Sequence, residues 1–71
     1  MTLKEAMPGK RYVVEKVQTG DPQLEAFLFS LGCYSGEEIT LVSQGRHGCV
    51  ILVKDSRYSV DNALARAIEL F

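Results

Sequence analysis

Three side chains in this sequence have the chemistry to hold a transition metal: Cys33, His47 and Cys49. Thiolate and imidazole groups suit Zn²⁺ and Fe²⁺, so the three residues suggest the Cys/His site of a metal-sensing or metal-binding regulatory domain. They lack the C-x-x-C pairs that pre-organise structural zinc sites. The alternative is that both cysteines are small apolar fillers near the core and His47 lies in a solvated loop. We therefore assign no metal and keep the Cys/His site as the second hypothesis.

No pattern in the sequence indicates catalysis or a bound cofactor. His47 and Cys49 can be drawn as a base and a nucleophile, but they have no evident orienting acid or oxyanion site. The glycines occur singly, and they form neither of the G-x-G-x-x-G and G-x-x-x-x-G-K-[ST] loops that hold phosphate. We predict that the protein is not an enzyme and needs no cofactor.

The third candidate site is an apolar surface around Phe29. The sequence predicts a helix, Pro22–Leu31, with an inward face at the i, i+3, i+4, i+7 spacing. That face consists of Leu24, Phe27, Leu28 and Leu31. Phe29 lies far from this face on a helical wheel, so it is either covered by a neighbouring loop or the C-terminus, or exposed. An exposed Phe29 would form with Cys33 and Tyr34 an apolar patch that marks a protein interface, and we predict these three residues as the partner-binding site.

The sequence marks both ends of this helix. Asp21 is a good N-cap, and Pro22 suits the first helical position, where its missing N–H is not needed. Gly32 stands where a left-handed residue ends a helix. Gly36 then permits the tight turn that leads into the next strand. The stretch from residue 20 to 42 therefore predicts a helix, a turn and a strand in close succession.

The rest of the chain carries short strand patterns at residues 11–17, 38–44, 49–54, 57–60 and 68–71. Alternation in the second strand places Ile39 and Leu41 in the core, whereas alternation in the first does not decide which face is inside. A helical turn opened by Asp61 precedes the last strand. Further core contacts are predicted for Leu3, Met7, Tyr58, Val60, Ala63, Leu64, Ala67 and Ile68. These elements describe a mainly β protein with one inserted α-helix, a small antiparallel barrel of about five strands.

Length and composition limit the function further. A chain of 71 residues is expected to form a single domain, residues 1–71. Its 8 basic and 9 acidic residues give a net charge of −1, which supplies no excess positive field for phosphate, so nucleic acid is not expected as a partner. No apolar run reaches the length of a membrane span, and the N-terminus lacks the apolar core of a signal peptide. We predict a cytoplasmic protein with reduced thiols and no direct membrane insertion.

Four stretches together resemble the bacterial ferrous iron transport protein A (FeoA) family: G-K-R-Y-V-V-E-K-V, G-D-P-Q-L-E-A-F-L-F-S-L-G, S-G-E-E-I-T-L-V and A-L-A-R-A-I-E-L. The resemblance implies an SH3-like barrel with an inserted helix. It also implies an accessory module that docks on the cytosolic part of the GTP-dependent iron transporter FeoB and modulates it. A similar domain forms the C-terminal module of DtxR-type metal-dependent repressors. The resemblance leaves open whether the protein activates or inhibits transport and whether it self-associates.

Two loops depart from the family pattern. Ser35 stands where family members often have proline before the turn glycine, and residues 46–49 replace a second proline before the third strand. The resemblance therefore does not predict the conformation of residues 34–36 and 45–49.

Overall fold

The structure is a computed structural model that describes every residue from Met1 to Phe71. Its strands are β1 (Arg11–Val17), β2 (Glu38–Gln44), β3 (Gly48–Val53), β4 (Ser56–Asp61) and β5 (Ile68–Leu70). Its helices are α1 (Pro22–Leu31) and α2 (Asn62–Ala67), and a 3₁₀ turn spans Leu3–Glu5. With 10 and 6 residues, neither helix has the length of a transmembrane segment.

The strands form one antiparallel sheet in the order β4-β3-β2-β1-β5. The pairing of β1 with β5 shifts register between Val14 and Lys16, and that of β2 with β3 shifts between Leu41 and Ser43. Such bulges bend a sheet, which here curves around the core. Helix α1 is inserted between β1 and β2, and α2 connects β4 to β5. The predicted class, mainly β with one inserted helix and five antiparallel strands, is confirmed.

Helix α1 begins and ends at the predicted residues because its caps are local. The Asp21 carboxylate accepts hydrogen bonds from the backbone N–H groups of Gln23 at 3.0 Å and Leu24 at 3.4 Å. Pro22 occupies the first turn, and Gly32 closes the helix in the left-handed conformation, with φ +102°. Its N–H and that of Cys33 satisfy carbonyls of the last turn. The end of α1 thus fixes the direction in which the chain continues.

The core is a single cluster of apolar side chains inside the curved sheet. The predictions of Ile39 and Leu41 as core residues are confirmed, and Val14 shows which face of β1 points inward. The fully buried large side chains are Leu3, Leu28, Ile39, Leu41, Ile51, Ile68, Leu70, Val14, Val53 and Cys33. Burial of this cluster supplies the main stabilisation of the fold.

Three core predictions were wrong. Phe27 is 53% exposed, because α1 contacts the sheet along a narrow line on which only Leu28 is fully buried. Met7 is exposed because Ala6 takes the inward position before the chain turns. Ala63 is exposed and Ala65 is buried in its place, since α2 presents its fourth residue to the core.

The two loops that the family pattern left undetermined are both held by backbone hydrogen bonds. The loop after α1 returns to β1. There Gly36 N–H donates to the Val14 carbonyl at 2.8 Å, and Val14 N–H donates to the Glu37 backbone carbonyl at 2.9 Å. The β2–β3 loop is closed by Gly45 N–H, which donates to the Gly48 carbonyl at 2.8 Å. Both loops are therefore anchored to the sheet at their bases.

The N-terminal segment closes one side of the molecule. Leu3 and Ala6 are buried in the core, and Thr2 forms an antiparallel bridge with Glu69. The Gln44 amide Nε2 lies 3.2 Å from each of the carbonyl oxygens of Leu3, Lys4 and Ala6, which share its two N–H donors. These contacts attach residues 1–6 to β5 and to the end of β2.

Candidate functional site

A pair of aromatic rings lies on the outer side of α1. Phe29 is 62% exposed, and its ring stacks on that of Tyr34 with 4.5 Å between centroids and 30° between planes. Stacked rings hold each other in place, so the pair presents a defined apolar surface to solvent. We call Phe29 and Tyr34 the aromatic patch.

The helix end positions this patch. Gly32 reverses the chain, which brings Tyr34 back beneath Phe29, and Cys33 N–H donates to the Leu28 carbonyl at 2.9 Å. A Cβ atom on Gly32 would approach Val53 Cγ1 to 2.9 Å, closer than a normal contact. Glycine is therefore required here both for the positive φ and for the close packing of α1 on β3. The base of the patch is therefore closely packed against β3.

A charged group borders the patch. Lys54 Nζ lies 5.5 Å from the centroid of the Tyr34 ring and 3.4 Å from its hydroxyl oxygen. The same Nζ forms a salt bridge with Glu37 Oε1 at 3.2 Å. These contacts raise the pKa of Lys54, first through the hydrogen bond to Glu37 and then through Tyr34, so the ammonium stays charged at neutral pH. The patch thus combines aromatic surface with one fixed cation.

An open groove of about 240 Å³ runs beside the aromatic patch. Its lining combines apolar side chains with one acidic and one basic residue: Lys16, Val17, Glu25, Phe29, Cys33, Tyr34 and Ser35. Lys16 also approaches Glu69 at 3.9 Å. Mostly apolar concave surface with a few polar groups is typical of a site that receives a side chain or a short segment of another molecule.

Cys33, the third predicted partner-binding residue, lies beneath this surface. Its side chain is 1% exposed, and burial raises the pKa of its thiol to about 11 from an ordinary value of 9.0. The thiol is therefore protonated at neutral pH, and it supports the patch from below rather than offering contact surface.

The other candidate chemistry lies at the end of the β2–β3 hairpin. His47 is exposed in the loop, whereas Cys49 is buried in β3, where burial raises the pKa of its thiol and the Lys4 charge opposes part of that rise. Both line an open surface depression of about 550 Å³. Cys33 lines the other groove, so the structure does not bring the three predicted ligands together, and no three His, Cys, Asp or Glu side chains are grouped to hold a metal ion.

Polar contacts, rather than ligands, organise this hairpin end. Lys4 Nζ donates to Asn62 Oδ1 at 2.7 Å, and Asn62 Nδ2 donates to the Arg46 carbonyl at 2.8 Å. Gln44 Oε1 is buried without a hydrogen-bond partner, although the Nε2 of the same amide has three. The network joins the N-terminal segment, the hairpin loop and α2, which is a structural role.

The sequence predicts an apolar patch that includes Phe29 and Tyr34, and the structure adds Lys54 and Glu37 beside these two rings. Lys54 reaches Tyr34 because β3 and β4 bring their turn under the end of α1. Lys54 and the adjacent Asp55 both have positive φ, as in a two-residue hairpin turn. No local signal in the sequence links this turn to residue 34, which is 20 positions away.

Comparison with known proteins identifies the type of domain. A family model described as the FeoA domain matches residues 1–70. No curated protein sequence matches the chain significantly.

Solved structures of FeoA proteins have the same fold as this chain. An iron uptake regulatory protein (FeoA) aligns with a TM-score of 0.88 and 24% identity over 99% of this chain and 93% of its own. FeoA of Stenotrophomonas maltophilia in complex with zinc aligns with a TM-score of 0.87 and 26% identity over 100% and 89% of the two chains. That protein is described as a procaryotic SH3 domain protein and a candidate ferrous iron transport activating factor. The fold is therefore SH3-like.

The fold also occurs as part of larger regulators. A manganese-dependent transcriptional repressor aligns with a TM-score of 0.84 and 16% identity over 96% of this chain but only 39% of its own. At this identity the likeness concerns the fold alone. It agrees with the predicted similarity to the C-terminal domain of metal-dependent repressors.

Proposed function

The chain belongs to the FeoA domain family, and on that premise we propose that it is a non-enzymatic, cytosolic accessory protein of ferrous iron uptake. In this role it docks on the cytosolic part of a FeoB-type transporter and modulates transport. The description of the S. maltophilia relative as a candidate transport activating factor supports a role in the same process. The aromatic patch is the surface through which we propose that it binds.

One observation carries this assignment of the surface: Phe29 is largely exposed, stacks on Tyr34 and lines an open groove, whereas the exposed Phe27 neither stacks on Tyr34 nor lines that groove. A large exposed aromatic side chain lowers solubility unless a partner covers it. Burying one such side chain in an interface contributes about 1.5–3 kcal/mol, which changes affinity by one to two orders of magnitude. The stacking of Phe29 on Tyr34 restricts the Phe29 side chain before binding, which reduces the entropy lost when a partner covers it.

The proposal is tested by titrating the cytosolic part of the transporter with the wild-type chain and with Phe29→Ser. We expect Phe29→Ser to weaken binding by about tenfold or more. Phe27→Ser is the matched control, because Phe27 is also exposed on α1 but does not stack on Tyr34. Its affinity should stay within about twofold of wild type, since the interface we propose does not include it.

Iron uptake in cells that carry each variant gives the second measurement. Phe29→Ser should reduce modulation of uptake while the protein remains folded, as judged by its circular dichroism spectrum. Equal losses for Phe27→Ser and Phe29→Ser would show that the interface is centred elsewhere on α1. Full binding and full modulation with a folded Phe29→Ser variant would show that the aromatic patch has no part in docking.

A further inference from the structure

The two edges of the sheet differ in whether another segment of the chain covers them. The outer edge of β5 is covered by the chain's own N-terminus, through the Thr2–Glu69 bridge and the hydrogen bond from Leu70 N–H to the Met1 carbonyl at 2.7 Å. The outer edge of β4 has no strand beside it, because β4 pairs with β3 alone. An uncovered edge is a ready template for pairing with another strand.

The β3–β4 register shows which backbone groups are free at this edge. A two-residue turn pairs Val53 with Ser56, so hydrogen-bonded and non-hydrogen-bonded pairs alternate from there along the strand. The N–H and C=O groups of Tyr58 therefore point to β3, while those of Arg57 and Ser59 point outward. No loop backbone forms hydrogen bonds with these outward groups. The edge thus offers donors and acceptors at every second residue.

The side chains along β4 complement a second copy of the same strand. In an antiparallel pairing centred on Ser59, each Ser59 lies opposite Ser59 of the other copy. Arg57 then lies opposite Asp61 of the other copy, and Tyr58 lies opposite Val60. The first pair has opposite charges, which stabilises antiparallel strands. The second pair fits the register but adds little, because Val60 is already buried in the core of its own chain.

The monomer leaves these charges available. Arg57 and Asp61 are exposed, and neither takes part in any of the three salt bridges. One carboxylate oxygen of Asp61 caps α2 by accepting from Leu64 N–H at 2.8 Å. The other oxygen remains for an arginine. A pairing centred on Tyr58 would instead place Asp55 opposite Asp61 of the other copy, and these like charges would repel.

We propose that β4 is a self-association edge, through which two copies form a two-fold dimer and join their sheets into one continuous antiparallel sheet. The contact is small, so the dimer is weak and forms at high protein concentration. It uses neither residue of the aromatic patch. Its failure would therefore not affect the proposed transporter surface, and the reverse also holds.

Cross-linking tests the register directly. Residues that form a hydrogen-bonded antiparallel pair have Cα atoms about 5.5 Å apart, a distance suited to a disulfide. Ser59→Cys should therefore give a covalent dimer on mild oxidation. Ser56→Cys is the matched control, because it is an exposed serine on the same strand that lies far from its copy in this register. The native Cys33 and Cys49 are buried and should not interfere.

Sedimentation as a function of concentration gives the second measurement. Arg57→Glu should lower the association constant at least tenfold, because it places like charges opposite each other twice in the dimer. Asp61→Asn retains an N-cap residue and removes the charge, so it should lower association less. Ser59→Pro should abolish association while leaving the β3–β4 pairing intact, since its N–H points outward.

Several outcomes would overturn the proposal. A wild-type chain that stays monomeric up to about 1 mM, together with no cross-link through Ser59→Cys, would exclude even a weak edge contact. Equal cross-linking of Ser56→Cys and Ser59→Cys would show non-specific collision. Disulfide capture of Ser59→Cys only by an added transporter segment that carries a cysteine, and never by its own copy, would assign the edge to a different occupant.

Discussion

Apolar side chains are usually buried and polar side chains exposed. The α1 side of the molecule departs from this rule by exposing apolar rings, and the end of the β2–β3 hairpin departs from it by partly burying polar groups. The α1 side exposes the stacked rings of Phe29 and Tyr34, whereas the hairpin end draws the amide of Gln44 and the ammonium of Lys4 into partly buried contacts. The polar groups bind other parts of the same chain and so hold the fold together. The rings of Phe29 and Tyr34 pack on each other and beside Lys54, yet Phe29 remains 62% exposed. This difference separates a surface suited to a partner from a structural network.

The largest expected effect would test the boundary between the inner and outer sides of α1. Leu28→Ala should destabilise the fold by about 2–5 kcal/mol, because a fully buried leucine leaves a cavity. Phe27→Ala, on the exposed side of the same helix, should cost less than about 1 kcal/mol. Urea denaturation of both variants measures the difference. A small change for Leu28→Ala would contradict its position in the core.

The next effect concerns the hairpin end. Gln44→Ala removes the two N–H donors that the carbonyls of Leu3, Lys4 and Ala6 share, and we expect a loss of about 1–3 kcal/mol. Removing the unpartnered Oε1 offsets part of this loss. Gln18→Ala is the control, since Gln18 is exposed and should change stability by less than about 0.5 kcal/mol.

Hydrogen exchange would show where the effect of Gln44→Ala acts. Faster exchange should appear at Leu70, whose N–H donates to Met1, if the N-terminal segment loosens from β5. Unchanged stability and unchanged exchange at this amide would show that the amide network does not hold the segment.

How far the sequence predicts these two regions depends on how local their determinants are. Asp21 and Gly32 define α1 through contacts within a few residues, so its bounds could be read directly. Phe27 was placed inward because a helical wheel predicts a broad apolar face, whereas the contact of α1 with the curved sheet is narrow. The Lys54–Tyr34 contact could not be predicted, since it depends on how separate elements pack.

A smaller effect is expected on the pH dependence of stability, and it should differ between the two thiols. The pKa of Cys33 is about 11 in the folded chain against an ordinary 9.0, so between these values the unfolded chain releases a proton that the folded chain retains. Stability therefore falls as pH rises from about 9 to about 11, and it is unaffected by this group below that range. Cys33→Ala should reduce the slope of unfolding free energy against pH more than Cys49→Ala does, because the charge of Lys4 opposes the rise at Cys49.

Denaturant titrations at several pH values between 9 and 11, under reducing conditions, measure these slopes. Equal slopes in wild type and Cys33→Ala would show that this thiol titrates at the same pH in the folded and unfolded chains. The comparison of slopes, rather than of stabilities, separates titration from the packing lost with each sulfur.

The smallest effect is expected when a metal ion is added to the protein. Cys33 belongs to the α1 side, while His47 and Cys49 belong to the hairpin end, and both cysteines are buried with raised thiol pKa values. Forming a thiolate site would require the two regions to rearrange and both thiols to lose protons, which opposes binding. Calorimetric titration with Zn²⁺ or anaerobic Fe²⁺ should therefore show no stoichiometric binding at micromolar concentration. Tight binding that disappears in Cys33→Ser or Cys49→Ser would mean that the two regions cooperate as a metal sensor. The hairpin end would then have a functional role and not only a structural one.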